Sequence, residues 1–181
     1  MRNPTISFLI LGMSALSLSR FAAATPPATL GDTPETFSAK FGHPLEDNGP
    51  AKSYVKCAGS GGGTKWGIVF GISQSPKGGF VHQAAAIERH GCGSERLDSA
   101  AAKKEALGMM PADAKPVAEF LTPDGRHAQE YRSTSLGKTL PADHFIGCTP
   151  DGKTQKIPEG TFSYALSKDG RSWNIIMGTC F

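Results

Sequence analysis

Between residues 52 and 88, apolar and polar positions alternate with a period of two. Trp66, Ile68 and Phe70 share one side of a run whose other side carries Gly67, Val69 and Gly71. This pattern predicts strands near 52–57, 65–73 and 79–88, with the Trp66 side buried and a close neighbour on the glycine side. The alternation returns in "TFSYALS" and "SWNIIM", within a last meander from about 144 to 180. Helical spacing replaces it elsewhere. "TPETFSAKFG" predicts a short helix, with Thr33 or Thr36 as cap, Pro34 at the first position and Gly42 as the stop. Phe37 and Phe41 share one face of it. "LDSAAAKKEALGMM" is the clearest helix, capped by Asp98 or Ser99 and ended by Pro111. Leu97, Ala100, Ala101, Lys104, Leu107 and Met110 lie at helical spacing, while Lys103 and Glu105 lean outward. "KPVAEFLTPDGRHAQEYRS" reads as a hairpin about Pro123-Asp124-Gly125, and "STSLGKTLP" as a short helical turn with serine caps.

The order helix, three strands, helix, two strands, short helix, three strands predicts an α+β fold. Its sheet or sheets are mostly antiparallel, with two or three helices on one face. An internal echo runs through it. "SYVKC" and "HFIGC" each lead through a Gly-containing turn into a strand, then a second turn and a third strand. Each copy closes on a glycine and a cysteine, as "HGC" or "GTC". Two readings follow. One is a pair of repeats over 34–92 and 97–181, each a disulfide-stapled three-stranded meander; the other is two merely similar meanders in a single α+β domain over 34–181. This architecture is similar to that of tandem helix-plus-sheet inhibitor modules of secreted bacterial proteins, which carry a disulfide in each half.

The N-terminus changes the picture of where the chain works. Arg2, the apolar run Ile6–Leu18 and the small residues Ala22-Ala23-Ala24 read as a secretory signal over 1–24. The run is shorter than the roughly 20 residues a membrane span needs. The first cysteine is Cys57, so none sits at the cleavage site to carry a lipid anchor. The expected location is periplasmic or extracellular, with no membrane span. Residues 25–33, "TPPATLGDT", read as a flexible tail. Removing 1–24 from 181 residues leaves 157, one domain of ordinary size. Arg2 and Arg20 leave with the signal, so the 19 basic residues become 17 against 16 acidic ones. With that balance and no Lys/Arg block, the chain has no nucleic-acid footprint.

Four cysteines, Cys57, Cys92, Cys148 and Cys180, imply two disulfides in an exported chain. The echo favours Cys57 with Cys92 and Cys148 with Cys180. In the chain-entropy model each bridge adds roughly 4 kcal/mol. "CAGSGGGTKW" fails as a phosphate loop because Lys65 is followed by Trp66 and a strand rather than by Ser/Thr and a helix. It fails as a nucleophile elbow because Ser60 has the wrong glycine spacing. His90 stands two residues before Cys92, but a thiol held in a bridge serves neither as nucleophile nor as metal ligand. The five histidines, 43, 82, 90, 127 and 144, show no HExxH or HxH spacing. Asp124, Asp151 and Asp169 each precede glycine as turn residues. The sequence thus assigns no catalytic residue, no metal and no cofactor.

What remains is an exported, non-enzymatic binding module of inhibitor, immunity or envelope-associated type. It is expected to present a disulfide-pinned sheet and its Gly-rich loops to a protein or envelope component. Gly61, Gly62, Lys65, Lys77 and Arg171 are the candidate contacts. The alternative is a small secreted hydrolase whose site is assembled from distant residues, His90 or His144 with a nearby Asp or Ser.

Overall fold

The structure is a computed structural model that describes residues 27–55, 64–74, 79–92, 96–149 and 152–180. The signal reading of 1–24 therefore falls outside the described residues. Helix α1 spans Pro34–Phe41; Thr33 precedes it in extended conformation, and the N–H of Gly42 closes it on the Ser38 carbonyl. Strands β1 (Glu46–Asn48), β2 (Ala51–Val55), β3 (Thr64–Gln74) and β4 (Phe80–Gly91) follow. After helix α2 (Ser99–Leu107) come β5 (Lys115–Leu121), β6 (His127–Arg132) and the short helix α3 (Thr134–Thr139). A 3-10 turn over Ala142–His144 leads to β7 (Ile146–Cys148), β8 (Thr154–Lys156), β9 (Thr161–Leu166) and β10 (Ser172–Met177). Eight strands form one antiparallel sheet in the order β1-β2-β3-β4-β10-β9-β6-β5, and β7 and β8 form a separate ribbon. The fold is thus a mostly antiparallel, sheet-rich α+β arrangement with three helices.

From each edge inward the main sheet consists of four strands that follow a helix. α1 precedes β1 to β4, α2 precedes β5, β6, β9 and β10, and the two sets meet where β4 pairs with β10. The echo drew the second meander differently. "HFIGC", the counterpart of "SYVKC", supplies β7, which leaves the main sheet and pairs with β8. β6 takes the place beside β9. The cause is local. Thr179 N donates to the Ile146 carbonyl at 3.2 Å, and the Cys148–Cys180 bridge holds the two Cα atoms 4.8 Å apart. Gly178, at φ 81°, allows this approach, because a Cβ there would run into the Ile146 carbonyl. Cys148–Cys180 is the pairing the sequence favours. Cys92 is disulfide-bonded as well, and Cys57 lies outside the described residues.

One face of the sheet carries the core. Tyr54, Trp66, Ile68, Phe70, Ile87, Phe162, Tyr164, Trp173 and Ile175 are buried there. Burial of each large apolar side chain is worth about 1.5–3 kcal/mol. α1 covers β2 and β3: Phe37 meets Phe70 edge-on at 5.7 Å, and Phe41 lies 5.3 Å from Trp66. α2 covers β9 and β10. Its cap is Asp98, which accepts from Ala101 N at 2.8 Å, and it ends at Gly108 rather than running on to Pro111. Its buried face differs from the expected one. Ala102 and Ala106 are fully buried, whereas Leu107 is 47% exposed and Ala101 and Lys104 face solvent. Glu105 turns inward because it has partners there. It pairs with the buried Arg89 at 3.2 Å and accepts from Trp173 Nε1 at 3.0 Å. A buried guanidinium without a counter-charge would be costly, so this pair fixes the rotation of the helix.

The stretch read as a flexible tail ends in ordered contacts. Ala28 and Leu30 are buried. Leu30 N donates to the Met109 carbonyl, and the backbone of Gly31 and Asp32 bonds Ala84 on both sides. Ala84 is where β4 bulges against β3 and loses β10, whose register with β4 stops at Ile176↔Ala86. Residues 31 and 32 thus satisfy backbone groups the sheet leaves open. α3 opens on Ser133, whose Oγ accepts from Leu136 N at 3.0 Å. The Asp113 carboxylate accepts from Ser133 Oγ at 2.6 Å and from Ser135 N at 2.9 Å. These bonds hold the Asp113 carboxyl well below the usual carboxylate range.

Candidate binding face

Strand alternation forces every core residue to have a neighbour on the reverse of the sheet. Registers follow these neighbours across all eight strands. One rung reads Glu46, Ser53, Gly67, Glu88, Asn174, Ala165, Ala128, Phe120. The next reads Asn48, Ala51, Val69, Ala86, Ile176, Ser163, Glu130, Ala118. A third, shorter rung places Lys65, His90 and Ser172 side by side. Among the described residues neither α1 nor α2 packs on this face. At one end the 3-10 turn after α3 reaches it, and His144 lies over Gly71, where a Cβ would come within 3.2 Å of the ring. Over β2, β3, β4 and β10 the rest of the face is open, whereas toward β9 and β6 its residues Ser163, Ala165 and Ala128 are buried. Its middle is a stripe of small and apolar groups, Ala51, Val69, Ala86 and Ile176, and Val69 is 43% exposed.

Beside the stripe, at the β4–β10 seam, lies a shallow depression of about 250 Å³ lined by Glu88, His90, Arg126, Ser172, Trp173 and Asn174. Glu88 and Asn174 face each other across the two strands, and so do His90 and Ser172. His90 Nε2 lies 3.3 Å from Glu88 Oε2, and both side chains are about half exposed. Arg126 reaches in from the β5–β6 hairpin, where its Nε donates to Asp124 at 2.8 Å. Bonds from Thr122 and Arg126 push the Asp124 carboxyl down to about 2. The Asn174 Oδ1 atom is buried and has no hydrogen-bond partner among the described residues. A second depression lies on the opposite, helix-bearing face, lined by Glu119, His127, Ala128, Gln129 and Tyr164. Burial pushes the Tyr164 hydroxyl there up to about 12.

Of the residues singled out in the sequence, Lys65 falls on the open face, in ion-pair reach of Glu46 at 3.8 Å. Arg171 sits just before β10, exposed, and its carbonyl accepts from Gly91 N. Gly61, Gly62, Lys77 and Cys57 lie outside the described residues. His90 enters the depression; His43, His82 and His127 are exposed, and His144 bonds its neighbour Asp143 at 3.1 Å. Glu88, Ser172, Asn174 and Arg126 were not singled out, although for the strand residues the sequence carried a signal. In "AIERHG" and "SWNIIM" Glu88, Ser172 and Asn174 alternate with Ile87, Trp173 and Ile175, which marks them as the reverse face of buried strands, while Arg126 sits in the turn "PDGR" and carries no such signal.

Both sheet edges are guarded. β1 has three residues, Glu46, Asp47 and Asn48, all exposed. β5 carries Pro116, Lys115 and Glu119, and its register breaks between Pro116 and Ala118. Such features disfavour strand addition and leave the face as the larger available surface. No helix among the described residues is long and apolar enough to cross a membrane, and no group of three or more His, Cys, Asp or Glu among them is placed to hold a metal. No protein-family model matches the chain, and neither does any curated protein or solved structure.

Proposed function

We propose that the protein is an exported, non-enzymatic binding module, of inhibitor or immunity type, that docks a partner protein on the open face of its sheet. The observation that carries this reading is the apolar stripe Ala51–Val69–Ala86–Ile176, bordered by the polar rung of Glu88 and Asn174 and left without a helix. An apolar centre with a polar rim is the anatomy of a protein interface. The five strands β1 to β4 and β10, at about 4.8 Å spacing, give an open stretch roughly 19 Å wide, broader than a single small-molecule pocket. The guarded edges, the Cys148–Cys180 bridge and the signal-like N-terminus support a rigid module working outside the cytoplasm.

Site-directed photo-crosslinking in the native host tests it. A photoreactive residue at Val69 is expected to capture one discrete protein, and the same residue at the exposed Leu107 of α2 is not. The captured protein, purified separately, should bind the wild-type chain and lose about tenfold or more in affinity for Ile176→Asp. Equal capture from both positions, or no rebinding, overturns the reading.

One observation favours a second reading. Ser172 stands directly across from His90, whose ring is 3.3 Å from Glu88, an order of hydroxyl, imidazole and carboxylate that acyl transfer uses. The depression is open to water, which weighs against it. Covalent labelling of Ser172 by a fluorophosphonate, abolished by His90→Ala, would put the hydrolase in place of the binding module.

A further inference from the structure

We infer that the depression at the β4–β10 seam receives a lysine or arginine side chain of the docked partner. This rests on the binding reading above and specifies its chemistry. The charges around the depression leave one carboxylate over. Arg126 is held by Asp124, Lys65 lies beside Glu46, and Arg171 sits next to Asp169. Glu88 meets His90 at 3.3 Å, and no lysine or arginine among the described residues is paired with it.

Hydrogen-bonding capacity points the same way. Asn174 Oδ1 is a buried acceptor without a donor, directly across the seam from Glu88. Buried acceptors are seldom left unpaired, and each one calls for an N–H or O–H from outside. Two acceptors facing each other suit a group that is both cationic and rich in N–H. An anion there would meet a carboxylate and a carbonyl oxygen, beside an Arg126 already paired with Asp124. A metal ion would lack a third acidic or imidazole ligand among the described residues. The approach is also shaped for a long side chain. Gly67, next to Glu88 on β3, has no side chain, and Glu88 lies 3.8 Å from where its Cβ would be. The stripe of Val69 and Ala86 runs alongside, where the methylenes of a lysine or arginine can lie while the head reaches Glu88.

The test is an NMR titration of the oxidised, 15N-labelled exported chain at pH 8. The probes are N-acetyl-arginine amide, N-acetyl-lysine amide, N-acetyl-glutamate amide and N-acetyl-norleucine amide. A cationic probe is expected to saturate with a Kd in the millimolar range, about 1–10 mM for one side chain, shifting the Asn174 side-chain amide and the Glu88 and Ser172 backbone signals. Glu88→Gln should weaken it about tenfold, and Asn174→Asp, which adds a carboxylate at the same position, should tighten it by a similar factor. The inference falls if neither cationic probe saturates, if the glutamate probe saturates on the same residues, or if both variants bind the cations as wild type does. Capture of the partner from Val69 without any cation binding would sink this inference alone and leave the docking reading standing.

Discussion

Two adjacent rungs of the sheet, one residue apart, have opposite characters. Ile68, Ile87, Ile175 and Tyr164 face the helices and are buried. Gly67, Glu88, Asn174 and Ala165 sit on the reverse of the same strands and present small or polar groups. Each pair of neighbours shares a peptide bond, yet one member packs against the helices and the other points to the reverse of the sheet. The pleat insulates them: a side chain can be changed on one face while the other keeps its packing. The comparison breaks if substitutions on the two faces have similar effects on stability.

The largest difference is expected between Trp173 and Asn174. Trp173 is buried against Trp66, at 5.5 Å between rings, and donates to Glu105. Trp173→Ala should cost about 3–5 kcal/mol, by lost burial and the cavity left behind. Asn174→Ala removes a buried acceptor that has no partner, and should change stability by less than about 0.5 kcal/mol or raise it. Urea midpoints of the two variants, at equal m-value, make the measurement. A loss in Asn174→Ala approaching that of Trp173→Ala would mean that the open face is structural.

Next in size is Glu105. Replacing it by alanine removes the carboxylate that faces the Arg89 guanidinium, whose side chain is only 2% exposed, and takes the acceptor from Trp173. The cost should be about 3 kcal/mol. Glu105→Gln keeps an acceptor but not the charge, and should fall between alanine and wild type. The double change Arg89→Met with Glu105→Leu should recover most of the loss, because apolar residues of similar volume replace a buried pair at little cost. If Glu105→Ala melts like wild type, Arg89 has other partners sufficient to hold it. Its Nη1 and Nη2 do approach the Arg171 carbonyl and Thr64 Oγ1, at 3.5 and 3.4 Å.

The third test lies within the open face and separates its covered end from its free part. An alanine Cβ at Gly71 would meet the His144 ring at 3.2 Å, whereas at Gly67 the nearest atoms lie 3.8 Å away on Glu88. Gly71→Ala is expected to cost about 1 kcal/mol, and Gly67→Ala to be neutral within about 0.5. His144→Ala should remove most of the cost of Gly71→Ala, a coupling that a double-mutant cycle reads directly. Equal effects at the two glycines would show that His144 moves aside freely and that the covered end is no different from the rest.

The alternation that builds these rungs was legible in the residues themselves. "WGIVFG" announces one buried and one glycine-bearing side, and the structure has Trp66, Ile68 and Phe70 buried with Gly71 under His144. The turn at Pro123-Asp124-Gly125 and the serine cap of α3 were equally local. What escaped was set by contacts distant in sequence. The rotation of α2 depends on Arg89, sixteen residues upstream of Glu105, and alanines at 100, 101, 102 and 106 give no periodicity that would choose a face. The departure of β7 from the main sheet depends on its bonds to the chain end after β10. The depression escaped for a related reason. Glu88 and Asn174 are more than eighty residues apart in the chain, and only the β4–β10 register makes them neighbours.

The smallest expected effect concerns the element that closes one end of the open face. Asp113 accepts from Ser133 Oγ and from both the Oγ and N of Ser135, so it anchors the start of α3. From α3 the chain runs to the 3-10 turn that lays His144 over Gly71. Because the folded-state carboxyl titrates below its unfolded value of about 3.9, its contribution is complete above that value and is lost as the pH falls through the folded one. Asp113→Asn should therefore melt about 3 °C below wild type at pH 7. The gap should narrow as the pH is lowered below about 4, because the unfolded carboxyl takes up its proton before the folded one does. If the gap stays constant over that range, the serine bonds do not depend on the charge, and α3 is held by the burial of Leu136 instead. If acid also changes the His144 ring signals while the Trp66 and Trp173 signals keep their shifts, the two faces are distinct in a further respect. The covered face would then be fixed by packing that is insensitive to pH, and the margin of the open face by a carboxylate anchor that acid releases.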